Sequence, residues 1–183
     1  MKKLFLVLAL TGFFFSSFSQ KYMTKTGKID IYSKTSMFTI EAANKKVACV
    51  LNTETGDIAA STLCLSFDFE EALVEEHFNE NYMESEKYPK ATFSGKIADM
   101  SKVDFTKNGT YNVSVTGTLT MHGTANTITE PAVLVVSSTG IKATSTFNVS
   151  LAAYKIKVEE SYKDRINDAI ELKLAFDLAA VVN

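Results

Sequence analysis

Between Tyr111 and Thr129 the chain reads YNVSVTGTLTMHGTANTIT. Tyr111, Val113, Val115, Leu119 and Met121 fall on one parity, and Asn112, Ser114, Thr116, Thr118 and Thr120 on the other. Successive strand residues face opposite sides of a sheet, so this alternation predicts a strand with one dry face and one wet face. It ends at His122-Gly123, which reads as a hairpin turn. On this reading His122 closes a strand and its polar ring serves the turn backbone. The alternative is a hydrogen bond to a ligand head group at a barrel mouth.

The same period recurs on either side. Phe93 and Ile97 share one parity, as do Ile141, Phe147, Val149 and Leu151, and then Leu172, Leu174, Phe176 and Leu178. About eight segments read as strands, MFTIEA, KVACVLN and DIAASTLCLSF among the earlier ones. They are rich in Val, Ile, Thr and Phe, with Gly, Asn or Pro between many of them. One stretch differs. DFEEALVEEHFNENYM places Asp68 three residues before Glu71, a capping-box spacing, and predicts a short helix over about Phe69–Asn79. Many one-faced strands and a single helix must roll up to cover their apolar faces. The expected fold is therefore all-β, a single domain over residues 20–183 forming an antiparallel barrel of about eight strands with one short helix. A two-sheet sandwich is the runner-up. Gly95 and Gly117 on the apolar parity leave room inside, mark bends or bulges of a curved sheet, or do both.

The N-terminus stands apart. Lys2 and Lys3 precede an apolar run, Leu4 to Phe15, and small residues follow at Ser17 and Ser19. This is the pattern of a signal peptide over residues 1–19, cleaved near Ser19, and it predicts a periplasmic or secreted protein. The run is shorter than the roughly 18–20 apolar residues a membrane-spanning helix needs, so no transmembrane segment is expected in the mature chain. Of the 183 residues, 164 would remain, with 17 basic and 21 acidic side chains. A mildly acidic chain lacks the basic stripe that nucleic acid requires.

The catalytic inventory is thin. GxSxG, HExxH and a glycine-rich phosphate loop are all missing, so no enzyme activity and no catalytic residue is expected. Glu76, His77 and Glu80 could meet on one helical side, but three ligands within one turn make a weak metal site, and no metal or other cofactor is expected. Cys49 and Cys64 flank a strand-turn-strand pattern centred near Gly56, which sets them nearly opposite each other. They are candidates for a disulfide, with two buried free thiols as the alternative.

Two motifs then carry a resemblance. GTLTMHGTANTIT at Gly117–Thr129 is similar to the G-D-L-T-I-H-G-V-T-K-P-V-T element of the YceI-like family, and EKYPKATFSGKI at Glu86–Ile97 resembles that family's K-Y-P-x-A-x-F-x-S element. The closing section from Phe147 to Leu178 follows the family's order of strand, loop and last strand. The resemblance implies a lipocalin-like barrel with a long apolar cavity, exported to the periplasm. It also implies an apolar-tailed lipid as partner, an isoprenoid or quinone-like chain. Thr118 replaces the family's aspartate, and Ala125-Asn126 its T-K pair, which removes charges expected near the mouth.

The expected function is accordingly a secreted carrier enclosing an amphiphilic chain. Its cavity candidates are the inward parity Phe93, Ile97, Val113, Val115, Leu119, Phe147, Leu151, Leu174 and Phe176, with His122 as mouth candidate. The alternative is a filled barrel that serves as a non-enzymatic interaction or stress-response module. Association into a homodimer is left open.

Overall fold

The computed structural model describes residues 21–181; the signal-peptide pattern at residues 1–19 lies outside them. Nine strands follow in chain order: β1 Lys21–Lys34, β2 Thr39–Asn52, β3 Asp57–Leu63, β4 Asp68–Phe69, β5 Lys90–Ile97, β6 Gly109–Met121, β7 Thr124–Ser137, β8 Gly140–Ser150 and β9 Ala169–Ala180. The sheet order is β1-β9-β8-β7-β6-β5-β3-β2, and β1 pairs with β2 to close it. Every pairing is antiparallel. The result is a closed eight-stranded barrel, with the two-residue β4 appended to β2. Closure leaves no long sheet edge free for another chain. The sandwich reading is set aside.

Helix α1 spans Ala72–His77 and runs on into a wider helical turn, Phe78–Tyr82. It starts later than the capping-box spacing predicts. Asp68 and Phe69 are extended and pair with Ala43 and Ala42 of β2. Glu71 stands at the helix start and makes no side-chain cap. The sheet wins here because pairing with β2 satisfies the backbone of Asp68–Phe69, whereas the first turn of a helix would leave its N–H groups unpaired.

Two of the expected strands, MFTIEA and KVACVLN, are one strand, β2. Between them Asn44 is fully buried, and its side chain does the work of the ladder at an irregular point. Its amide donates to Thr62 Oγ1 at 2.8 Å and to the Leu63 carbonyl at 3.2 Å, and its Oδ1 accepts from Lys46 N–H at 2.9 Å. Here the β1–β2 register shifts, from Gly27↔Val47 to Ile29↔Asn44. Strand β1 escapes the sequence pattern for the same reason. The bulge breaks its period, and Thr24, Gly27 and Ser33 occupy buried positions where apolar residues would have marked a strand.

The barrel has two ends. At one, the Asn52–Gly56 turn, the loop 98–108 and the turn at Ser138–Thr139 come together. Val47, Leu51, Ile97, Val113, Leu134 and Ile141 pack into a solid core there, with Met100, Val103 and Phe105 from the loop against it. At the other end lie the turn at Thr35–Phe38, the segment 64–89 with α1, the His122-Gly123 turn and the loop 151–168. A second, smaller core of Cys64, Met83, Met121, Val149, Tyr154 and Ile156 covers part of this end. Asp168 ties the loop down: its carboxylate accepts from Ser150 Oγ at 2.7 Å and from Ala152 N–H at 2.8 Å. Asn167 N–H donates to Ser33 Oγ at 2.9 Å, joining the loop to β1.

Candidate functional site

Between the two cores the barrel is hollow. The cavity has a volume of about 590 Å³, within the range of roughly 300–1,000 Å³ typical of small-molecule sites. Its walls are the inward parity of the strands, so the alternation that builds the barrel also makes the cavity apolar.

Phe93, Val115, Leu119 and Phe147 border this space, and so do Leu151, Leu174 and Phe176. Ile97 and Val113 do not. They have the right parity but lie too far toward the closed end, where each is almost completely buried in the solid core. Parity tells inward from outward, but not how deep along the barrel a residue sits. The cavity also touches residues that sequence reasoning passed over, among them Ile29, Ile58, Ala60 and Glu130. For Ile29 the signal was hidden by the β1 bulge. Ile58 and Ala60 were visible as alternation in DIAASTL, and Glu130 is an acid on an otherwise apolar parity.

The mouth lies between the Thr35–Phe38 turn, α1 and the loop after β8. Phe38, Leu73, His77, Tyr162, Arg165 and Ile166 border the cavity there. The Arg165 guanidinium lies over the Phe38 ring, 5.2 Å from its centre, and His77 meets Tyr162 edge-on at 6.3 Å between ring centres. Leu73 is 59% exposed and Phe38 40%, so the rim offers apolar side chains to its surroundings.

His122 does not border the cavity. It sits in the turn between β6 and β7 with a backbone φ of 48°. Its Nδ1 lies 3.1 Å from the Tyr154 carbonyl and its Nε2 2.9 Å from Glu84 Oε2. The Tyr88 ring meets it edge-on at 4.9 Å. The ring thereby joins three separate segments of the covered end.

Cys49 and Cys64 are both buried, unpaired thiols. The hairpin is centred earlier than the sequence reading placed it: Leu51 pairs with Ile58, which sets Cys49 opposite Ala60, four residues short of Cys64. Cys64 Sγ donates to the Tyr88 carbonyl at 3.4 Å. Burial pushes the Cys49 thiol up to about 12, and burial also raises that of Cys64. Both border the cavity.

The YceI-like domain family matches residues 12–178. The chain belongs to the YceI-like family. No curated protein sequence matches it significantly. Among solved structures, this YceI-like chain is similar to a polyisoprenoid binding domain from Saccharophagus degradans implicated in plant cell wall breakdown, at 14% identity and a TM-score of 0.74, over 88% of this chain and 99% of that one. It is also similar to Burkholderia cenocepacia BcnA, at 20% identity and a TM-score of 0.65, over 85% and 96% of the two chains. A Campylobacter jejuni YceI protein aligns at 18% identity and a TM-score of 0.60, over 76% and 84%. At these identities the likeness is one of fold. The lipocalin-like architecture of the YceI-like family is the barrel described above, and the cavity within it is this chain's own.

Proposed function

We propose that this YceI-like protein is a carrier that encloses the apolar tail of an amphiphilic lipid of isoprenoid or quinone type. The observation that carries the proposal is the apolar cavity of about 590 Å³ running inward from a rim of exposed Phe38 and Leu73. A barrel acting only as a filled scaffold would pack this space with side chains at the density usual for protein interiors. The likeness to a polyisoprenoid binding domain points to the same class of ligand. Burial is worth about 0.8 kcal/mol per CH₂, so each five-carbon isoprene unit contributes on the order of 3 kcal/mol gross. Tail ordering and lost ligand freedom offset much of this. Selectivity would then follow tail length and cavity depth. The role is one of binding rather than catalysis, exercised in the periplasm or outside the cell after cleavage near Ser19.

The test is mass spectrometry of an organic extract from protein purified gently out of its native envelope. A stoichiometric apolar chain is the expected result; an empty extract from folded protein would overturn the proposal. N-terminal sequencing of the same material is expected to begin at Gln20, and a chain beginning at Met1 would refute the export reading.

A further inference from the structure

The wall between β7 and β8 is incomplete. Their ladder runs only from Val133↔Thr144 to Ser137↔Gly140, although β7 begins at Thr124 and β8 continues to Ser150. Pro131 is the reason. It pairs with Ser114 of β6, whose carbonyl is taken by Ala98 N–H on the other side. In an antiparallel strand the N–H and C=O of one residue point the same way, so the pair Ser114–Pro131 exchanges no bonds and Pro131 turns its backbone toward β8. A proline has no N–H to offer there. Its carbonyl is satisfied instead by a side chain, the Ser145 hydroxyl, at 2.6 Å.

Beside this break stands Glu130. It lies six residues along β7 from Thr124, about 20 Å of strand. It faces the cavity, opposite Val115 of β6 and between Ile128 and Ala132 on its own strand. Among the described residues no hydrogen bond or ion pair engages its carboxylate. Burial in apolar surroundings raises its pKa. Nearby, the Tyr154 hydroxyl is buried, within reach of the Asn126 side chain and of the Glu130 charge. The Arg165 cation belongs to the mouth, in the loop after β8, whereas Glu130 lies on the inner wall. A half-buried carboxylate on an apolar cavity wall accepts hydrogen bonds and disfavours a second anion beside it.

We infer that Glu130 sets the head-group specificity of the cavity: it accepts a hydrogen bond from an uncharged hydroxyl on the ligand, as in an isoprenoid alcohol or hydroquinol, and excludes chains that end in a carboxylate. The inference rests on the carrier reading and narrows its ligand class.

Farnesol and farnesoic acid share one fifteen-carbon tail and differ in the terminal group, while farnesene carries the tail without an oxygen. Titration calorimetry at about pH 8 with the purified full chain is expected to give at least tenfold tighter binding of farnesol than of farnesoic acid. Glu130→Gln keeps the volume and removes the charge. It should bring the alcohol and the acid within threefold of each other and leave farnesene within threefold of its wild-type affinity. Glu130→Met supplies the same comparison if the glutamine variant does not fold. An alcohol-to-acid ratio unchanged in the variant, or a wild type that prefers the acid, would overturn the role of Glu130 while leaving the carrier intact. A folded wild type that binds none of the three would overturn the carrier reading and this inference with it.

Discussion

Two polar side chains, one in a turn and one on the inward parity, meet opposite fates. His122 ends the β6 alternation and was legible as a turn residue. Its partners Glu84 and Tyr154 lie 38 and 32 residues away in sequence, so no local pattern could name them. A net hydrogen bond is worth about 1 kcal/mol, and alanine at a positive φ adds strain, so His122→Ala should lower stability by about 2–3 kcal/mol. Denaturant titration would measure this; a loss below about 0.5 kcal/mol would refute the anchoring role. The refolded variant should take up lipid like the wild type. Glu130, by contrast, is raised above the ordinary carboxylate range by burial, so the folded state holds its proton more tightly than the unfolded chain does. The stability this contributes is present below the unfolded value and lost as pH rises through the folded one. Glu130→Gln removes that loss. Its melting temperature should exceed that of the wild type at about pH 7, and the difference should shrink toward zero near pH 4. A difference that grows on acidification would contradict the sign.

At the scale of elements, the glycines on the apolar parity bring two strands close together and do not widen the cavity. Gly95 and Gly117 face each other across β5 and β6. A Cβ at Gly117 would stand 2.5 Å from the Gly95 Cα, 2.5 Å from the Ser94 carbonyl oxygen and 2.6 Å from the Phe93 ring. The pair lets two backbones approach and gives Phe93 a floor to lie on, and the space is taken by that ring. Gly117→Ala must therefore move backbone as well as a side chain, at a cost of about 1–3 kcal/mol. Thermal unfolding would register this as a clear drop in melting temperature; an unchanged melt would refute the close approach. Helix α1 was legible in type, with boundaries that its own residues did not control. The start moved because Asp68–Phe69 found a sheet edge supplied by Ala42 and Ala43 from earlier in the chain.

At the scale of the whole molecule, closure makes the interior a single guarded space. Cys49 and Cys64 border it from the wall, and with burial raising both thiols they should be poor nucleophiles. Ellman's reagent at about pH 8 should react with them far more slowly in the folded protein than in urea, by two orders of magnitude or more. Bound lipid should slow the reaction further, since both would compete for one cavity. Rapid labelling of the folded, loaded protein would refute this. As no bridge joins them, a reductant should leave the melting temperature unchanged. The alternation of apolar and polar residues determined by itself that the chain is all-β, that its strands are one-faced and that they must close, because each side chain's facing depends only on its neighbours along the strand. Where the strands shift register, how deep each inward residue lies, and which of them touch packed core or open cavity were decided only in the tertiary structure. Those properties depend on what lies across the barrel: Ile97 and Val113 share the parity of Phe93 and Val115, yet loop 98–108 fills one end and leaves the middle hollow.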